Sequence, residues 1–350
     1  MIYNISKPSD MAAPQVRTAL VPLDDVVAAQ ARVARHAVRT PILERTVVGL
    51  SVHPTLTRLH LKCEMMQPGG AFKIRGAANM IEQLTADERR RGVITYSSGN
   101  HGQAVAIVAN ALGMPATIVM PRTAPQVKVD AVRKLGATIL VEGTTSVERK
   151  ARAEYEAMRD GLSIVPSFDH EHIVAGQGTL GLEILDQLPD AGLIVAPVVG
   201  GGLIAGIAAA IKRTRPDVSV IGVEPEGANS MQQSLRAGAP VTLASTFSIA
   251  DGLLPIRPGD VTFAHAQALV ADIVTVSEDA IRDALRWLYS EMKLVVEPSG
   301  AVSVAAVLSG TARATMSPAA PVVAILTGGN VSAATLADLV NTEARPGSVS

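Results

Sequence analysis

Two long stretches of this chain, residues 92–121 and 192–211, contain no Asp, Glu, Lys or Arg. A run of that length is long enough to cross a bilayer as a helix. Each is broken midway, however, by Ser97-Ser98-Gly99-Asn100 in the first and Gly200-Gly201-Gly202 in the second. A buried strand, a turn and a buried helix account for each run, so no transmembrane segment is expected. Strands that are apolar along their whole length have both faces covered, which points to parallel sheets between layers of helices.

The same alternation continues along the chain. Strands are expected at 59–64, 93–97, 116–120, 138–141, 163–166, 193–197, 218–223, 273–276 and 322–326. Helices are expected at 23–36, from the Lys73 stretch through Ile81, and at 101–112, 125–135, 147–159, 179–188, 203–213, 230–237, 278–292, 300–308 and 332–340, with 242–262 irregular. The fold class is α/β, two-lobed, each lobe a parallel or mostly parallel sheet flanked by helices. The block at 91–170 is expected to form a small substrate-side domain, and 1–90 plus 171–350 the large one.

With 350 residues the chain can bury a large core. Only 18% of residues are charged, 48% are hydrophobic and the mean hydropathy is +0.28, which describes a core-rich globular protein rather than a disordered one. A net charge of −1 gives no basic excess for nucleic acid. Aromatics at 3% leave too few rings for a carbohydrate or single-strand nucleic-acid platform. Cys63 is the sole cysteine, so neither an internal disulfide nor a cysteine zinc site can form, which suits a cytoplasmic setting. Residues 1–20 include Lys7, Asp10 and Arg17 with no long apolar run, and no signal peptide is expected.

Five segments could carry chemistry. Lys73 lies between Phe72 and Ile74 behind two glycines. Burial there would lower its pKa and free an amine for attack on a carbonyl, whereas at a surface it would be an ordinary solvated charge. Val199-Gly200-Gly201-Gly202-Leu203 leads from a strand into a helix, and its bare N–H groups suit a phosphate; a tight turn needing positive φ is the other reading. Ser97-Ser98-Gly99-Asn100-His101 offers hydroxyls and N–H groups at another helix start, or a serine cap. Thr327-Gly328-Gly329-Asn330 presents a hydroxyl at a strand end, and Glu297-Pro298-Ser299-Gly300 reads as a helix N-terminus.

Taken in order, Ala71-Phe72-Lys73-Ile74-Arg75-Gly76-Ala77, Ser97–Gln103, Ala175-Gly176-Gln177-Gly178-Thr179, Gly200–Leu203, Glu297–Ala301 and Gly328-Gly329-Asn330 resemble the fold-type II pyridoxal-phosphate enzymes, the tryptophan-synthase β-like family. Within it the nearest likeness is to serine/threonine dehydratases and serine racemase. The resemblance implies pyridoxal 5'-phosphate as cofactor, held covalently by Lys73, which would also move the α-proton. It implies Phe72 beside the cofactor, Asn100 on its ring oxygen, Val199 to Leu203 at its phosphate, Glu297 nearby and Thr327 at its ring nitrogen. A neutral hydroxyl there leaves a weaker electron sink than an Asp would and favours β-elimination. Ser97, Ser98, Gly99 and His101 would lie around the substrate carboxylate, with Ser98 matching the second acid/base of the racemases.

The chain departs from the family pattern in places. Val199 replaces a usual fourth glycine, and Ala71 a usual serine. Some relatives bind a divalent cation; Glu224 and the Ala228 carbonyl match that site, but the expected Asp is Ser230, which removes one hard ligand. The expected activity is dehydration and deamination of a β-hydroxy amino acid, L-threonine or L-serine, to a 2-oxo acid and ammonia. Serine racemization, or a dehydratase for hydroxyaspartate, phenylserine or a hydroxyectoine-derived substrate, is the alternative. A homodimer acting on a small amino acid is expected, without nucleic acid or membrane.

Overall fold

The computed structural model describes residues 19–47, 57–97, 99–124, 126–312 and 320–341. In chain order the elements begin with α1 (Leu23–Val33), β1 (Ile42–Val47), β2 (Thr57–Lys62), α2 (Lys73–Ile81) and α3 (Ala86–Arg91). The next group is β3 (Val93–Thr95), α4 (Asn100–Ala111), β4 (Ala116–Met120), α5 (Gln126–Lys134), β5 (Thr138–Val141), α6 (Ser146–Asp160) and β6 (Ser163–Ile164). The chain continues through α7 (Glu171–Gln187), β7 (Leu193–Pro197), α8 (Gly202–Thr214), β8 (Ser219–Pro225), α9 (Ser230–Ala237) and α10 (Asp260–Leu269). It ends with β9 (Asp272–Val276), α11 (Glu278–Ser290), α12 (Pro298–Leu308), β10 (Val322–Ile325) and α13 (Ala333–Asn341).

Two sheets result among the described residues, one ordered β1-β2-β10-β7-β8-β9 and the other β5-β4-β3-β6. All pairings are parallel except β1 with β2, which is antiparallel at the edge. The larger sheet shows why its strands read as unbroken apolar runs. Leu193, Val195, Ile221, Val223, Val322 and Ala324 face one way into a core shared with α11 and α12. Their neighbours Ile194, Ala196, Val220, Val323 and Ile325 face the other way against α7, α8 and α10. Side chains alternate, but both faces are dry.

Three expectations need correction. The helix expected at 179–188 starts at Glu171 and takes in Gly176 and Gly178, which precede the expected start; Gly181 lies inside it as expected. These glycines permit close helix crossing. A Cβ on Gly176 would stand 2.6 Å from the Arg75 carbonyl oxygen and 2.8 Å from the Cα of Gly76, and one on Gly206 would stand 2.3 Å from the Val174 carbonyl oxygen. Helices α2, α7 and α8 therefore pack backbone to backbone. The stretch 242–262, read as irregular, ends in α10, whose start signal is Pro258-Gly259-Asp260. Strand β1 and helix α3 were not anticipated, and α3 is closed by a Thr85/Glu88 capping box. Pro125, expected to open α5, lies outside the described residues.

No helix among the described residues is long and apolar enough to cross a membrane.

Candidate active site

The loop before α2 is shaped by two left-handed glycines, Gly69 at φ 77° and Gly70 at φ 71°. Gly70 also has no room for a side chain, since a Cβ would come within 2.4 Å of Asn330 Oδ1. The loop then makes an antiparallel bridge between Ala71 and Gly328, and the Phe72 N–H donates to the Thr327 carbonyl at 3.0 Å. This pairing sets Lys73, the first residue of α2, beside the end of β10.

Lys73 Nζ donates to the Ser167 carbonyl at 2.9 Å and lies 5.1 Å from the centre of the Phe72 ring. Burial pushes its pKa down to about 8, because no carboxylate compensates the charge withdrawn from water. Two residues on, Arg75 turns to the opposite side of α2. There it makes a two-pronged contact of 2.8 Å and 2.8 Å with Glu64 and reaches Glu183 at 3.0 Å. Lys62 Nζ completes this buried group, donating to Glu183 at 2.5 Å. The charges anchor the helix that carries Lys73 while leaving Lys73 itself unpaired with an anion.

Asn100, the first residue of α4, donates through Nδ2 to Glu297 Oε1 at 2.7 Å and accepts at Oδ1 from Asn330 Nδ2 at 2.8 Å. Asn330 also donates to the Gly69 carbonyl at 2.7 Å. One hydrogen-bonded chain thus joins the lysine loop, the start of α4, the residue before α12 and the end of β10. Asn330 was not assigned a role from the sequence, although it belongs to a motif that stood out there. Thr327 is buried, with Oγ1 3.5 Å from the Ser299 carbonyl.

Gly201, at φ 95°, caps α8, and Gly202 is its first residue. The opening N–H groups of a helix have no partner inside it. Val199 packs partly buried against one core, and the Leu203 side chain sits in the other, so these two face the loop only with backbone. The Phe168 ring lies against the loop; a Cβ on Gly200 would meet its atoms at 2.4 to 2.5 Å.

Ser97 Oγ accepts from the Gly99 N–H at 3.4 Å, closing a short turn. Ser98 lies outside the described residues. His101, expected at the substrate carboxylate, is buried, with Nε2 3.0 Å from the Val165 carbonyl. Burial, and then the nearby Lys73 charge, push its pKa down to about 3. The neutral ring donates to that carbonyl and ties α4 to the segment after β6. Arg149, whose guanidinium reaches the Tyr96 carbonyl at 3.4 Å, brings a cation to the neighbourhood of Ser97 that sequence reasoning did not place.

The candidate cation ligands lie between the end of β8 and the start of α9. Glu224 is buried, and its two oxygens accept the Met231 and Gln232 N–H groups at 2.9 Å each, so the carboxylate caps α9. Ser230 contributes only a neutral, buried hydroxyl, and Ala228 a backbone carbonyl. Among the described residues no three His, Cys, Asp or Glu side chains gather in a group that could hold a metal ion. Glu224 is the one carboxylate of the candidate set, and the Ser230 hydroxyl beside it is buried with no hydrogen-bond partner among the described residues.

Residues 33–328 match the family described as pyridoxal-phosphate dependent enzyme. The chain is 41% identical over 305 residues to a serine racemase of Oryza sativa subsp. indica, covering 87% of this chain and 89% of that one. It is 42% identical over 290 residues to an L-threonine ammonia-lyase of Thermotoga maritima, covering 83% and 72%. The structure of maize serine racemase superposes with a TM-score of 0.86 at 38% identity, over 91% of this chain and 97% of that one.

Proposed function

Because the chain belongs to the pyridoxal-phosphate-dependent enzymes, we propose that it removes water and ammonia from a β-hydroxy amino acid, L-threonine or L-serine first. The observation that carries this reading is Lys73, a buried amine lowered to about 8, on a loop whose Phe72 N–H bonds the backbone carbonyl of Thr327, a residue with a neutral hydroxyl at the adjoining strand end. The residues present fit the cofactor: an uncompensated buried amine, bare N–H groups at the start of α8 and an amide at Asn100. When bound, pyridoxal phosphate supplies an electron sink for charge developing at the substrate Cα.

The chain's own groups do the rest. Lys73 holds the cofactor and, once displaced by the incoming amine, takes the Cα proton on Nζ. N–H groups of Val199 to Leu203 hold the phosphate. Asn100, kept in place by Glu297 and Asn330, donates to the ring oxygen, and Phe72 flanks the ring. Thr327 offers a hydroxyl rather than a carboxylate to the ring nitrogen. Ser97 and Gly99 form the turn that receives the substrate carboxylate, and His101 supports it through the Val165 carbonyl. The β-hydroxyl leaves as water on taking up the proton that Nζ received from Cα, and the released enamine hydrolyses to a 2-oxo acid and ammonia.

Ser98 supports a second reading. With a serine at the position racemases use, and with serine racemase relatives at 41% identity, inversion at Cα is the competing outcome. We further assign 91–170 as the substrate-side domain and 1–90 plus 171–350 as the cofactor domain. A homodimer in the cytoplasm completes the proposal; the buried, unpaired Cys63 suits a reducing compartment.

The test is to incubate the purified holoenzyme with L-threonine and L-serine while following 2-oxo acid release and serine enantiomers together. Release of 2-oxobutanoate and pyruvate at the faster rate supports the ammonia-lyase. D-serine forming much faster than pyruvate replaces it with the racemase.

A further inference from the structure

The glycine loop is held from outside by α10, and we propose that Thr262 is a positioning residue that aims the loop's N–H groups at the phosphate. Thr262 is fully buried. Its Oγ1 donates to the Gly200 carbonyl at 2.5 Å, and the Gly259 N–H donates to the same oxygen at 3.2 Å. Oγ1 also lies 3.2 Å from the Gly259 carbonyl. In a planar trans peptide the carbonyl oxygen and the next N–H point in opposite directions. Pinning the Gly200 oxygen outward on α10 therefore turns the Gly201 N–H toward the inner side of the loop.

Packing supports the same arrangement. A Cβ on Gly201 would stand 2.9 Å from both Cβ and Oγ1 of Thr262, so the hydroxyl lies directly against the Cα that must adopt φ 95°. The N-terminus of α10 is itself held by Asp169, which accepts from the N–H groups of Asp260 at 3.0 Å, Val261 at 2.9 Å and Thr262 at 3.3 Å. Asp169 directly follows Phe168, whose ring lies on Gly200. One short segment thus covers the loop and anchors the helix that orients it. Without the hydroxyl, the Gly200–Gly201 peptide loses the shorter of its two anchors and can rotate.

This inference rests on the reading of the loop as a phosphate site, and the experiment separates the two. Apo-protein is titrated with pyridoxal phosphate and with pyridoxal, which lacks the phosphate, for the wild type, Thr262→Val and Thr262→Ser. The wild type should bind the phosphorylated form far more tightly. Thr262→Val should weaken that form by about tenfold, the worth of one well-made hydrogen bond to an ordered group. Pyridoxal binding should stay within about twofold, Thr262→Ser should retain the wild-type ratio, and competition by inorganic phosphate should weaken in parallel with Thr262→Val. If Thr262→Val does not fold, Thr262→Ala carries the same comparison. A wild type that does not distinguish the two ligands overturns the phosphate site itself. A wild type that does, beside a valine or alanine variant with an unchanged ratio or with both affinities lowered equally, overturns the role of Thr262 alone.

Discussion

Capture of the cofactor by apo-protein should depend on pH through Lys73, with a midpoint near 8. Burial lowers this amine to about 8 from an ordinary 10.5, a shift worth roughly 3.4 kcal/mol at about 1.36 kcal/mol per pH unit. At pH 7 about one Lys73 in ten is then neutral, against roughly one in three thousand for a solvated lysine, a gain near 300-fold in nucleophile. The assay is stopped-flow growth of the visible band on mixing apo-protein with pyridoxal phosphate between pH 6 and 10.5. Each rate is divided by that of N-acetyl-lysine amide in the same buffer, which cancels the cofactor's own titrations. Below about pH 8 both amines gain neutral form in step and the ratio should be flat. Above it only the free amine keeps gaining, so the ratio should fall about tenfold per unit until the free amine is also neutral. A ratio that stays flat through pH 10 refutes the desolvated lysine. The same shift has a consequence for stability. Between pH 8 and 10.5 the unfolded chain binds more protons at Lys73 than the folded one, so this group's contribution to apo-protein stability rises with pH across that window.

Other expectations follow from single contacts. Asn100→Ala removes the hydrogen bonds that Asn100 makes to Glu297 and Asn330; the melting curve should record a loss of about 1–3 kcal/mol, and turnover should fall about a hundredfold through misplacement of the cofactor. Arg75→Met strands Glu64 as a buried charge, while Glu183 keeps Lys62, and should cost about 3–5 kcal/mol in chemical denaturation. Adding Glu64→Gln should recover part of that loss. Gly206→Ala drives a Cβ against the Val174 carbonyl oxygen and the Gly178 nitrogen, backbone atoms that cannot yield alone. It should destabilise by about 1–3 kcal/mol or more, whereas Gly99→Ala, with nothing within 4 Å of its added carbon, should melt close to wild type.

The reach of sequence reasoning differed among the elements for physical reasons. Strands β4 and β7 lie where local pattern places them, because apolar runs bounded by turns specify buried strands. Helix α7 was cut short, since glycine is a poor helix former in isolation and only the neighbouring helices show that bare Cα atoms are needed at the crossings. Helix α10 was passed over because its opening turn is polar and its value lies in what it touches.

By itself, the sequence determined the two-lobed α/β class and the family: uncharged runs broken by turns can be buried only between helices, and the ordered motifs are specific. It also marked Lys73, although nothing in its neighbours decides between a solvated charge and a buried amine. That choice belongs to the tertiary structure, because desolvation is a property of everything packed around Nζ. The bridge from Ala71 to Gly328, the Ser167 carbonyl and the Phe72 ring surround it, while Arg75, Glu64 and Glu183 keep the neighbouring charges on the far side of α2. The hold of Thr262 on the glycine loop is equally invisible in one dimension, joining groups 62 residues apart. Hydrogen bonds between distant segments leave no periodicity to read; they exist only once the chain has folded.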